Sequence, residues 1–107
     1  MEEIVSKEHL TEILNSHKFV IVDIYGTFCG PCKAIAPYLN SLSERVASYV
    51  KIVKENVELN LHEDTVAVPT FLFYINGVQI DECKGANKNI LKMWVDHAVE
   101  KPTENST

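Results

Sequence analysis

The apolar residues of this chain fall into blocks, and their spacing changes from block to block. In "KFVIVDIYG" (residues 18–26), Val20, Val22 and Ile24 point to one side and Ile21, Asp23 and Tyr25 to the other. Both sides are mostly apolar. A strand of this kind sits in the middle of a sheet that is covered by helices on each face. Upstream, residues 3–5 suit a short first strand, and "SKEHLTEILNSH" reads as a helix. Ser6 is placed to cap it, Glu8 lies in its first turn, and Leu10, Ile13 and Leu14 share one face. Downstream, Ile35, Leu39, Leu42, Val46 and Tyr49 recur at helical spacing, which predicts a helix from near Pro31 to about Val50. Proline is tolerated at a helix start because its missing N–H would have no partner there. Pro37, inside the helix, predicts a kink.

"VKIV" predicts a second short strand of the sheet, and "ELNLHEDT" a helix or turn. "TFLFYI" is a strand, Asn76-Gly77 a hairpin signal, and "VQIDEC" the antiparallel return. A last helix opens near Asn87, with Ile90, Leu91, Trp94, Val95 and Ala98 as its buried stripe. "EKPTENST" is polar and predicts a frayed tail from about residue 100. The order β-α-β-α-β-α-β-β-α implies an α/β domain over residues 1–107. Its mixed central sheet has about five strands, with helices on both faces.

Composition narrows the function. The chain has 107 residues, 46% of them hydrophobic, enough for a core that needs neither disulfide nor metal. Net charge is −5 with no basic cluster, so nucleic acid is not an expected partner. The first ten residues have no signal-peptide character, and the longest apolar run, "FVIVDIY", is too short for a membrane and contains Asp23. The expected location is the cytoplasm. An Asn-Ser-Thr pattern at Asn105 reads there as a chance match.

Three cysteines, Cys29, Cys32 and Cys83, fit no disulfide framework. Cys29 and Cys32 stand two residues apart in "TFCGPCKAIAP". A zinc site would need four ligands, but only Cys83 and the scattered His9, His17, His62 and His97 remain. Two unconnected core cysteines are a further reading, but the pair straddles a strand-to-helix turn. Redox chemistry gives each position a purpose. At a helix N-terminus, free N–H groups and the helix dipole favour a thiolate at Cys29. Cys32, one turn further in, is expected to be more shielded and to hold its proton longer. One thiol attacks and the other resolves the mixed disulfide. Gly30 and Pro31 close the loop between them.

"VDIYGTFCGPCKAIAP", "VPTFLFYINGV" and "KGANKNIL" together resemble the thioredoxin family, in order and at similar spacing, from about Ile4 to Val99. The resemblance implies the thioredoxin fold and reduction of protein disulfides, with Cys29 as nucleophile and Cys32 as resolving thiol. It implies no bound cofactor. Electrons would come from NADPH through thioredoxin reductase, substrates would include peroxiredoxin-type proteins, and the working form would be a monomer. It further implies a cis bond before Pro69, with Val68 beside the cysteines, and a substrate groove formed by Phe28, Gly30, Pro31, Val68, Pro69, Gly85 and the small Ala86. Asp23, a carboxylate in an apolar strand, is expected to have a raised pKa; in the family's pattern it accepts the Cys32 proton. Lys51 is one basic residue on the neighbouring strand, although nothing in the pattern selects it as a partner for Asp23. Lys33 reads as a solvated charge.

The chain departs from the family where Phe28 replaces the usual tryptophan. It keeps an aromatic shield but no indole N–H, and the region around Lys54, Glu55 and Asn56 lacks the usual acidic acceptor pattern. Trp94 reads as core, and Cys83 as a small buried hydrophobe rather than an exposed thiol. The rival reading is a non-catalytic module that holds a partner in the same groove. An oxidase or isomerase is disfavoured because the Gly-Pro pair between the cysteines resembles the reducing members of the family.

Overall fold

A computed structural model describes residues 1–63 and 67–100. Five strands, β1 (Glu2–Ile4), β2 (Phe19–Tyr25), β3 (Lys51–Asn56), β4 (Thr70–Ile75) and β5 (Val78–Lys84), form one sheet in the order β1-β3-β2-β4-β5. β1, β3 and β2 run parallel, β4 is antiparallel to β2, and β5 is antiparallel to β4. The doubly apolar strand β2 is the central one. Its Val20, Val22 and Ile24 pack with Leu10 and Ile13 of helix α1 (Lys7–Ser16). Its Phe19 and Ile21 face α2 (Gly30–Arg45) and α3 (Lys88–Glu100) on the other side.

The caps agree with the sequence. Ser6 Oγ accepts the His9 N–H at 3.0 Å, and Asn87 Oδ1 accepts the N–H groups of Asn89 and Ile90. The hairpin turns through Asn76 and Gly77 with φ of 53° and 80°, the left-handed conformation that this residue pair tolerates. Trp94 is buried, and its ring stacks on Phe73 at 5.3 Å.

Two expectations change. First, β1 ends at Ile4, and Val5 is exposed because the chain is already turning toward the Ser6 cap. Second, α2 ends at Arg45 rather than Val50. The Val46 N–H still bonds to Leu42, but residues 46–49 form turns that swing Val50 into the core at the start of β3. Tyr49 is therefore 48% exposed and not part of the buried stripe. α2 continues through Pro37 without interruption. The helix or turn expected around "ELNLHEDT" is, among the described residues, a single 3-10 turn at Val57–Leu59, capped by Asn56. The end of "ELNLHEDT", the polar tail and Asn105 lie outside the described residues.

On β3, Glu55 is buried at 1% exposure, and its carboxylate meets Nε2 of His62, from the segment after β3, at 3.0 Å. Sequence reasoning did not mark this pair. Its only signal was an acidic residue in an otherwise strand-like run.

Candidate functional site

Strand β2 delivers the chain to the mouth of the sheet, and α2 begins there. Cys29 is the N-cap of α2, with Gly30 and Pro31 as its first residues. The helix thus starts one residue before Pro31. Cys29 Sγ accepts the Cys32 backbone N–H at 3.2 Å, so the sulfur sits where a side-chain oxygen caps other helices. Cys29 and Cys32 are joined as a disulfide with Cα atoms 5.2 Å apart. Their exposures are 6% and 8%, so Cys32 is not the more shielded of the two. Both sulfurs lie against the first turn, and one turn of helix does not separate their depth.

Long-range contacts complete the site. The Val68–Pro69 peptide bond is cis. Gly26 stands between Val68 and Cys29: a Cβ built on it would lie 3.1 Å from Val68 Cγ2 and 3.6 Å from Cys29 Cβ. Absence of a side chain at Gly26 is what lets Val68 approach the cysteines, and the sequence reading passed it over. The Gly85 N–H donates to the Pro69 carbonyl at 2.8 Å, and Gly85 has φ of 106°, which favours glycine. Val68, Pro69 and Gly85 are thereby gathered beside the disulfide. Gly30, Pro31 and Ala86 are exposed nearby in the chain.

Phe28 is 97% exposed. It shields nothing in the folded protein; its ring stands free beside the first cysteine. The expected loss of an indole partner also has a structural counterpart: Asn56 turns its side chain to the Glu58 N–H and to Thr27 Oγ1.

Asp23 is 6% exposed, and its Oδ1 has no hydrogen-bond donor among the described residues. Burial pushes its carboxyl up to about 7, against a smaller opposing pull from the Lys54 ammonium. The basic neighbour is therefore Lys54 and not Lys51. In the β2–β3 ladder Asp23 pairs with Lys54, whereas Lys51 turns to the opposite face and binds Glu2 at 2.9 Å. Tyr25, Gly26, Thr27, Cys32, Lys33, Ala36, Lys54 and Asn56 line a cavity of about 340 Å³ on this side. No group of side chains suited to a metal occurs among the described residues. Cys83 is half-buried on β5 and packs against the α2–α3 core. Burial and, secondarily, Asp81 raise its thiol pKa.

A disulfide-linked cysteine pair at a helix N-terminus, with the loop before a cis proline against it, is the arrangement of a dithiol–disulfide oxidoreductase. Comparison with known proteins agrees. The Thioredoxin family profile matches residues 1–97. Thioredoxin of Equus caballus is 40% identical, over 89% of this chain and 95% of that protein. Thioredoxin-3 of Dictyostelium discoideum is 36% identical, over 87% of this chain and 91% of the relative. Among solved structures, Plasmodium falciparum thioredoxin superposes with a TM-score of 0.80 at 30% identity, covering 91% of this chain and 98% of its own. Fasciola hepatica thioredoxin gives 0.82 at 27% identity, covering 92% and 99%. The chain belongs to the thioredoxin family. It has the thioredoxin fold and is a redox-active oxidoreductase acting on protein disulfides.

Proposed function

We propose that Cys29 is the attacking thiol and Cys32 the resolving thiol of a cytoplasmic disulfide reductase. The observation that carries this is the position of Cys29 Sγ as cap of α2, where it accepts the Cys32 N–H. A sulfur so placed is favoured as thiolate. In the reduced protein the Cys29 thiolate attacks one sulfur of the substrate disulfide. That S–S bond breaks, one substrate thiolate leaves, and a Cys29–substrate mixed disulfide forms. Cys32 then gives its proton to the Asp23 carboxylate and attacks Cys29 Sγ. The second substrate thiolate leaves, and the Cys29–Cys32 disulfide results. Two electrons have passed to the substrate.

Asp23 suits its role because a carboxyl that titrates near 7 exchanges protons readily at neutral pH. Phe28, Gly30, Pro31, Val68, Pro69 and Gly85 form the groove, in which the Val68 backbone pairs with an extended substrate segment. Electrons return from NADPH through thioredoxin reductase, and substrates include peroxiredoxin-type proteins. The protein acts as a monomeric electron carrier in redox homeostasis.

The test is insulin-disulfide reduction driven by dithiothreitol, comparing wild type with Cys29→Ser and Cys32→Ser. Activity is expected to vanish in Cys29→Ser. In Cys32→Ser, stable mixed disulfides are expected to accumulate. Wild-type turnover no faster than dithiothreitol alone would overturn the assignment and leave a binding module.

A further inference from the structure

The registers of β1, β3 and β2 place Glu3, Lys54 and Asp23 side by side in one row across the sheet. A single ammonium thus lies between two carboxylates, and the row alone does not decide which one it serves. Tyr25 supplies the missing element. Its hydroxyl donates to the Glu3 carboxylate, and the Lys54 nitrogen lies 5.9 Å from the centre of its ring. A cation at this distance from an aromatic face is attracted to it. Among the described residues, Lys54 forms a direct ion pair with neither carboxylate, and its pull on Asp23 acts through space.

The geometry points to Tyr25 as a positioning residue for the redox site: its hydroxyl occupies Glu3 and its ring seats Lys54, so that the lysine charge acts on Asp23. Tyr25 remains a neutral donor at working pH, since burial and then Glu3 push its hydroxyl up to about 12. Tyr25, Lys54 and Cys32 also line the same cavity, so the arrangement stands at the proton-transfer side of the disulfide. The other groups on this side are Cys32 and Lys33 from α2, which share the cavity wall, and Cys83 from β5, which lies beyond Phe71 in the row. None of them offers Lys54 a carboxylate. The bearing on catalysis rests on the proton-accepting role given to Asp23 above.

The test follows the Asp23 side-chain carboxyl by ¹³C NMR against pH in the oxidised protein. Wild type, Tyr25→Phe, Glu3→Gln, the double variant and Lys54→Met are compared. Tyr25→Phe keeps the ring and frees Glu3 to compete for Lys54. Asp23 is then expected to titrate higher by about half a unit, the scale of a partly exposed charge pair. In the Glu3→Gln background, Tyr25→Phe is expected to have no effect, and Lys54→Met alone is expected to raise the titration. An unchanged midpoint in Tyr25→Phe would overturn the proposal, as would a shift that persists in full with Glu3→Gln. The pH profile of mixed-disulfide resolution is read in parallel. If the carboxyl titration moves and the rate profile does not, the positioning stands and the proton-accepting role of Asp23 falls.

Discussion

The buried carboxylate of Glu55 and the imidazole of His62 are joined across seven residues at 3.0 Å, and this contact ties the segment after β3 to the sheet. Glu55 retains 1% exposure. The same face carries Tyr74, whose hydroxyl is pushed up to about 12 by burial and then by the Glu55 charge. Removing His62 would leave that carboxylate buried without its partner. His62→Ala is therefore expected to lower stability strongly. The cost should fall at or below the roughly 3–5 kcal/mol typical of a broken buried pair, since the imidazole keeps 16% exposure. Glu55→Leu, which removes the charge and fills the site, is expected to be near neutral or stabilising. Urea unfolding of the two variants checks this; a harmless His62→Ala would show that the pair contributes little.

Asp23 sets a pH dependence of stability whose sign is opposite to that of a salt-bridged carboxylate. Its folded pKa is raised to about 7 from 3.8, so the folded protein keeps a proton that the unfolded chain releases. Stability from this group is complete below about pH 4, is lost as pH rises, and by about pH 7 and above has fallen by on the order of 4 kcal/mol. Asp23→Asn removes the buried charge. The variant is expected to be more stable than wild type at pH 8, with the difference closing toward pH 4. Denaturant midpoints at both pH values measure it, and a pH-independent difference would refute the burial argument.

The same substitution separates stability from catalysis. Asp23→Asn keeps the shape of the side chain and cannot take a proton from Cys32. Resolution of a mixed disulfide is expected to slow at neutral pH by about 10²-fold, the lower range for a lost general base. Formation of the mixed disulfide by Cys29 should change far less. Stopped-flow resolution rates at pH 7 decide the matter, and an unchanged rate would remove Asp23 from the mechanism.

Trp94 joins α3 to the hairpin in two ways. Its ring stacks on Phe73, and its Nε1–H donates to Asp81 Oδ2 at 3.2 Å. Trp94→Phe preserves an aromatic stack and loses the hydrogen bond, at an expected cost of about 1–2 kcal/mol. Trp94→Ala also opens a cavity and should cost about 3–5 kcal/mol. Thermal unfolding of both variants distinguishes the contributions; equal losses would assign the stability to the hydrogen bond.

Cys83 is half-buried with a raised thiol pKa, whereas Cys29 caps a helix. In the reduced protein at neutral pH, iodoacetamide is expected to modify Cys29 first and Cys83 slowly. Site-resolved mass spectrometry of a time course reads the order. Comparable labelling of Cys83 would restore the alternative of an exposed, modifiable thiol.

Much of the fold follows from local pattern. The two apolar faces of "FVIVDIY" placed β2 at the centre, Ser6 and Asn87 marked helix starts, and Asn76-Gly77 marked the hairpin, because each depends on residues within one or two turns of chain. The cysteine spacing and Asp23 were legible for the same reason: a reactive residue type stood out against its immediate neighbours. What the sequence by itself left undecided are the relations between distant segments. Lys54 rather than Lys51 lies beside Asp23 because parallel register, set by packing across the whole sheet, puts Lys51 on the opposite face. Val68 reaches the cysteines only through the space at Gly26, and Gly85 meets Pro69 only through the β4–β5 pairing. Phe28 stands free in the loop before α2, and α2 stops at Arg45 because the chain turns through residues 46–49 to begin β3. Periodicity assigns each segment its buried face; only the assembled core decides which faces meet and which side chains then share a site.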